Sequence, residues 1–123
     1  MDASEENILR MGLTPLHVCE SVVEAKELIK TYGVSPKSKD GITPLHFLDS
    51  FDVIEFLINK GADVNAQRIY GMTPLHVQSD IRIMELLLKN GADPNIRDCE
   101  GMTALHCALY IEEIPLLLKW GAD

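Results

Sequence analysis

Thr73-Pro74-Leu75-His76 is the stretch that decides the fold, because it recurs. Thr43-Pro44-Leu45-His46 precedes it and Thr103-Ala104-Leu105-His106 follows it at an equal interval. Thr14-Pro15-Leu16-His17 opens the series at an interval shorter by a single position. Each copy runs on to a glycine: Gly33, Gly61, Gly91 and Gly121, the last three beginning Gly-Ala-Asp. Four copies at a nearly fixed period mean that one small unit has been stacked.

Within a copy, the residues predict two short antiparallel helices. Thr14, Thr43, Thr73 and Thr103 sit where a hydroxyl can cap the first free N–H groups. Pro15, Pro44 and Pro74 occupy the first helical position, where a missing N–H costs nothing. Ala104 takes that place in the fourth copy. Leu16, Leu45, Leu75 and Leu105 are expected to point inward. The second helix carries the main apolar face: in the third copy Ile81, Met84, Leu87 and Leu88 recur at helical spacing, and Ile83 and Leu86 widen the stripe. A helix apolar over so much of its circumference needs cover on several sides, which stacked neighbours supply. Ser50 and Asp80 are expected N-caps. Pro115 requires the last helix to start at about Glu112 or later, because proline is excluded from helix interiors. Gly61, Gly91 and Gly121 suit the left-handed residue that ends a helix.

Gly-Met-Thr-Pro-Leu-His at Gly71–His76, followed by Leu-Leu-Leu-Lys-Asn-Gly-Ala-Asp-Pro-Asn at Leu86–Asn95, resembles an ankyrin repeat, and the resemblance covers about residues 12–123. It implies an all-α solenoid of helix-turn-helix units with short β-hairpin-like fingers between them. The expected repeats are about 12–40, 41–70, 71–100 and 101–123, after a lead-in of residues 1–11 whose Ile8, Leu9 and Met11 cap the first repeat. The chain departs from the family in length: its period is about 30 residues where the family's is about 33. Both anchors match, so the loss falls between the helices, and helix or turn must be clipped. Gly33 to Gly41 spans eight steps against ten for Gly61 to Gly71, which predicts a stubby first finger. At the far end, either Glu112, Glu113 and Lys119 keep the last repeat soluble or the natural chain continues past Asp123; continuation is the expectation.

The net charge of −8 and the lack of a basic run argue against nucleic-acid binding. No hydrophobic run approaches membrane-spanning length, and the acidic start Met1–Glu6 is unlike a signal peptide. A cytoplasmic protein with no membrane partner is expected, with Cys19, Cys99 and Cys107 as free thiols. His17, His46, His76 and His106 share one repeat position. Stacked helices lie about 8–10 Å apart and zinc–nitrogen bonds are about 2 Å, so the rings cannot share an ion. The resemblance implies instead that each histidine braces the turn near its threonine. Neither Cys107 beside His106 nor the repeated Asp63, Asp93 and Asp123 makes a catalytic constellation. No enzyme, cofactor, metal or small-molecule substrate is expected. Asn65 and Asn95 sit where asparagines of some animal ankyrin repeats are hydroxylated; the expected role is hydrogen bonding to their own hairpin backbone.

The resemblance implies a protein partner, bound along the concave face by finger tips and first helices. At those positions stand Ile42, Phe47, Ile69, Tyr70, Met72, Val77, Glu100 and Met102, an apolar-rich set of the kind that marks interfaces. The expected function is a non-catalytic protein-binding module, acting as adaptor or inhibitor. The alternative is a structural spacer within a longer repeat chain.

Overall fold

The computed structural model describes residues 10–123. The chain divides into two compact units, the boundary falling between Ala62 and Asp63. Ile8 and Leu9 of the expected cap lie outside the described residues, and Met11 is exposed. The first unit holds a 3-10 turn at Pro15–Val18, then α1 (Val22–Tyr32), α2 (Pro44–Phe47) and α3 (Phe51–Asn59). The second holds a 3-10 turn at Ile69–Gly71, then α4 (Pro74–Val77), α5 (Ile81–Lys89) and α6 (Glu113–Lys119). All regular structure among the described residues is helical.

The shortened period has a clear structural cause. α2 and α4 are single helical turns of four residues. Leu48 and Gln78 donate back to the Pro44 and Pro74 carbonyls at 2.8 and 3.0 Å, and the chain then extends at once, with ψ of 150° and 140°. A short extended linker then reaches the second helix at Ser50 or Asp80. Both cap it as expected: Ser50 Oγ accepts from the Val53 N–H and Asp80 Oδ1 from the Arg82 N–H. The first helix and its turn have absorbed the loss.

A single helical turn cannot hold itself in water. Each is pinned by its histidine. The backbone N–H groups of Thr14, Thr43, Thr73 and Thr103 donate to Nδ1 of His17, His46, His76 and His106 at 2.9, 3.1, 3.1 and 3.1 Å. The threonine hydroxyls lie 2.8–3.0 Å from the same nitrogens. Threonine and histidine thus form a capping box at Thr14, Thr43 and Thr73, which keeps the expected threonine cap and adds the ring to it. Thr73 Oγ1 accepts from the His76 N–H at 3.4 Å. The hydroxyl's first partner is the ring, because histidine at the third helical position reaches back as glutamate does in a capping box.

Nδ1 accepts, so the ring proton sits on Nε2, and Nε2 reaches the following repeat. His17 donates to the Ile42 carbonyl at 2.6 Å and His76 to the Met102 carbonyl at 2.9 Å. Beneath this clamp lie the cores. Leu16, Leu45, Val53, Ile54 and Leu57 are fully or nearly fully buried in the first unit, and Leu75, Ile83, Met84, Leu87 and Leu117 in the second. Burying each is worth about 1.5–3 kcal/mol. Helices α3, α5 and α6 end alike: Ala62, Ala92 and Ala122 donate to the carbonyls of Leu57, Leu87 and Leu117, and the glycine between has φ near +100°. This is the Schellman closure, which only glycine enters freely.

The fingers close as tight hairpin turns without a strand ladder among the described residues. Ser38, Arg68 and Asp98 donate their N–H to Ile42, Met72 and Met102 at 2.9, 2.9 and 2.8 Å. The first finger's tip is as long as the others, so its two missing residues fall between Gly33 and Ser38. Neighbouring fingers are tied too. Lys39 N–H donates to Met11 O, and Cys99 N–H to Tyr70 O at 2.8 Å. Asn65 bridges repeats rather than bonding its own hairpin: Nδ2 donates to Gly91 O at 3.0 Å while Oδ1 accepts from Asp93 N at 2.8 Å. Asn95 repeats this with Gly121 and Asp123 at 2.9 and 3.0 Å.

Repeat four is looser. Residues 104–107 form turns where α2 and α4 form a helical turn, Leu105 is half-buried and His106 is exposed. α6 starts at Glu113, which admits Pro115 as expected. Glu113 does not serve solubility: it is 2% exposed, and its carboxylate accepts from the Leu109 and Tyr110 N–H groups at 2.7 Å each. Leu109 and Ile111 face outward instead, 77% and 78% exposed.

Burial lowers the pKa of His17 below its ordinary 6.5, with the Ile42 carbonyl partly opposing it. The unfolded chain therefore takes up the proton first. Stability contributed by this group is complete above pH 6.5 and drains as pH falls below that value, at up to about 1.4 kcal/mol per pH unit. Urea midpoints between pH 8 and 5 are expected to show this fall, and to show a shallower one for His17→Gln; equal slopes would reject the clamp as its source. Separately, Ala104→Pro is expected to stabilise the protein by about 0.5–1 kcal/mol by restoring the fixed φ that starts α2 and α4. An unchanged or lower midpoint would show that the looseness of repeat four has another origin.

Candidate partner-binding site

The finger tips are alike in sequence position but not in chemistry. In the first finger Ser38 Oγ accepts from the Asp40 and Ile42 N–H groups at 3.2 and 3.1 Å. In the third, Asp98 Oδ1 accepts from the Glu100 and Met102 N–H groups at 2.9 Å each. These amides, Met102 foremost, hold the Asp98 carboxyl below the usual carboxylate range. The second finger has Arg68 at this position, and arginine has no acceptor. Its guanidinium turns to the Met72 sulfur at 3.4 Å, and Gln67 Nε2 closes the loop on Gly71 O at 2.9 Å.

Without the side-chain acceptor this turn takes another form. Tyr70 adopts φ 67°, ψ 11°, and is the non-glycine residue with positive φ among those described. The left-handed region costs an ordinary side chain about 1–2 kcal/mol. Gly71 next to it has no such cost, and its bareness is needed: a Cβ there would stand 3.2 Å from Asp98 Cα and Cys99 N. The strained backbone lifts a large ring off the body, leaving Tyr70 65% exposed and Ile69 41% exposed.

Around Tyr70 the second unit gathers most of the expected set. Tyr70, Met72, Glu100 and Met102 line one concavity of about 290 Å³ together with Asp98, Cys99 and Cys107. Ile69 stands on the same tip, and Val77 is half-buried on α4. Asp98 is an addition to the expected set. The sequence signal for it is its alignment with Ser38, a position whose side chain accepts turn amides. Phe47 belongs to the first unit, where it is exposed beside Val18 and Asp49 on a separate concavity.

Ile42 leaves the set. It is buried, with its N–H taken by Ser38 Oγ and its carbonyl by His17; Met102, tethered in the same way by Asp98 and His76, stays exposed. Cys107 is no activated nucleophile: burial, then the Asp98 and Glu100 carboxylates, push its thiol pKa up. Burial and then Glu24 do the same to Cys19. Reactive cysteines need the opposite shift.

The family model described as ankyrin repeats (3 copies) matches residues 16–98 and again 48–123. No curated protein matches the chain.

If Tyr70 is held in a costly conformation, glycine there relieves it. Tyr70→Gly is expected to raise stability by about 0.5–1 kcal/mol, read as an increase in the urea midpoint at constant m-value. A midpoint below wild type would mean that the ring contributes more to folding than its backbone angle costs.

Proposed function

Because the chain belongs to the ankyrin-repeat family, whose members generally mediate protein–protein interaction and are typically non-catalytic, we propose that it binds a protein partner through the tips and first turns of its repeats. The contact residues are Ile69, Tyr70, Met72, Val77, Glu100 and Met102 in the second unit; Phe47 is a separate candidate contact on the first. The module needs no cofactor and performs no chemical step. It acts by occupying a partner's surface, as adaptor or inhibitor, in the cytoplasm. No helix among the described residues is long and apolar enough to cross a membrane.

One observation carries the reading. A large aromatic ring is exposed on a residue held in the left-handed backbone region. Strain held at a surface position and offset elsewhere in the fold is a mark of functional sites. Aromatic anchors also dominate binding energy where interfaces have been dissected. The apolar neighbours Ile69 and Met102 widen the contact, and exposed apolar clusters tend to mark such sites.

The test is a double substitution, Ile69→Ser with Tyr70→Ser. Affinity for the protein captured with the wild-type chain from its native source is expected to fall at least about tenfold, since a hot-spot residue is worth about 2 kcal/mol or more. The circular dichroism melt should be preserved. Undiminished affinity in the folded variant would place the interface elsewhere.

A further inference from the structure

The concavity at the Tyr70 tip has a chemistry that selects its occupant. Its walls are soft and apolar, with the thioethers of Met72 and Met102 lining it beside the exposed ring of Tyr70. The charges on its lining are those of Asp98 and Glu100, while the Arg68 guanidinium stands 3.4 Å from the Met72 sulfur. Among the described residues neither carboxylate forms a salt bridge. Asp98 uses Oδ1 alone for its two amide partners. Oδ2 stays open, and those amides favour the ionised carboxyl.

We propose that this concavity receives a single lysine or arginine side chain from the partner, and that the partner segment is basic beside an apolar residue. This inference rests on the partner-binding reading above and specifies it. The volume of about 290 Å³ lies at the lower edge of ligand pockets, which run from about 300 to 1,000 Å³. It suits one long side chain better than a whole small molecule. The methylene stem lies along Met102, on the side away from the Arg68 guanidinium at Met72, as long basic side chains bury their stems while the head stays wet. The head meets Asp98 Oδ2 and the Glu100 carboxylate, with the Tyr70 ring face as a further cation partner. An apolar occupant would instead desolvate ionised carboxylates without compensation. The chain's net charge of −8 favours the same partner at a distance.

The experiment selects a random heptapeptide library on the whole 123-residue chain, then measures enriched peptides by fluorescence anisotropy. Three proteins are compared: wild type, Asp98→Asn with Glu100→Gln, and Ile69→Ser with Tyr70→Ser. Asparagine keeps the Oδ1 acceptor that closes the finger, so the charge is removed without opening the turn. Enriched peptides are expected to carry a lysine or arginine next to an apolar residue. Their binding should weaken about five- to tenfold in the charge variant, the sum of two exposed ion pairs, and weaken again when salt is raised from about 50 to 500 mM. Replacing the peptide's basic residue with glutamine should reproduce the loss. Peptides lost on the Ile69/Tyr70 change but indifferent to the charge variant would overturn the basic-side-chain pocket and leave the finger-tip interface standing. Peptides indifferent to both variants, or no enrichment at all, would overturn both.

Discussion

The fold depends on a histidine ring hydrogen-bonded at both nitrogens. Nδ1 receives the N–H of the threonine that opens its repeat, which closes a helical turn too short to close itself. In His17 and His76 Nε2 then donates to a backbone carbonyl of the following repeat, just before the next threonine. One side chain thus fixes the start of its own repeat and the register of the next. Buried backbone groups need partners, and here the partners are supplied at a fixed spacing. The period of the sequence is therefore also a period of hydrogen bonding. The asparagines at 65 and 95 do the same further along, each joining its hairpin to the backbone of the repeat beyond.

Shortening the repeat increases the dependence on this clamp. A full first helix would bring its own ladder of backbone hydrogen bonds. A single turn does not, so the Thr-Pro-Leu-His stretch carries the burden with a fixed φ, a buried leucine and the ring. Repeat four shows what happens as these parts are lost. Ala104 replaces the proline, His106 is exposed, and the turn there is not a helix. Its inter-helix linker is held instead by the buried carboxylate of Glu113. The acid is satisfied by two backbone donors, which is the condition for burying a carboxylate without a counter-ion.

A regular scaffold makes the irregular positions informative. Residues 38, 68 and 98 are equivalent, and two of them hold the finger through a side-chain oxygen. Arg68 cannot, and the second finger answers with a tyrosine in the left-handed region. The same finger carries an exposed tyrosine, which lines a concavity with two carboxylates.

Much of this was legible in the sequence. The four-fold motif, the helix-ending glycines and the caps at Ser50 and Asp80 follow from local rules, which act over a few residues and leave their mark in order along the chain. The family resemblance added the histidine brace on threonine. Other features were decided only by the tertiary structure. That Nε2 finds the following repeat and that Asn65 bonds across rather than within its hairpin depend on which backbone groups arrive opposite one another once the repeats stack; which side chains end up covered, Ile42 and Glu113 among them, is also decided only there. The strain at Tyr70 belongs there too, since it follows from what Arg68 cannot accept in a turn whose neighbour leaves room only for a bare glycine. Local propensity is written residue by residue, but partnership from one repeat to the next exists only after folding has brought the chain back on itself.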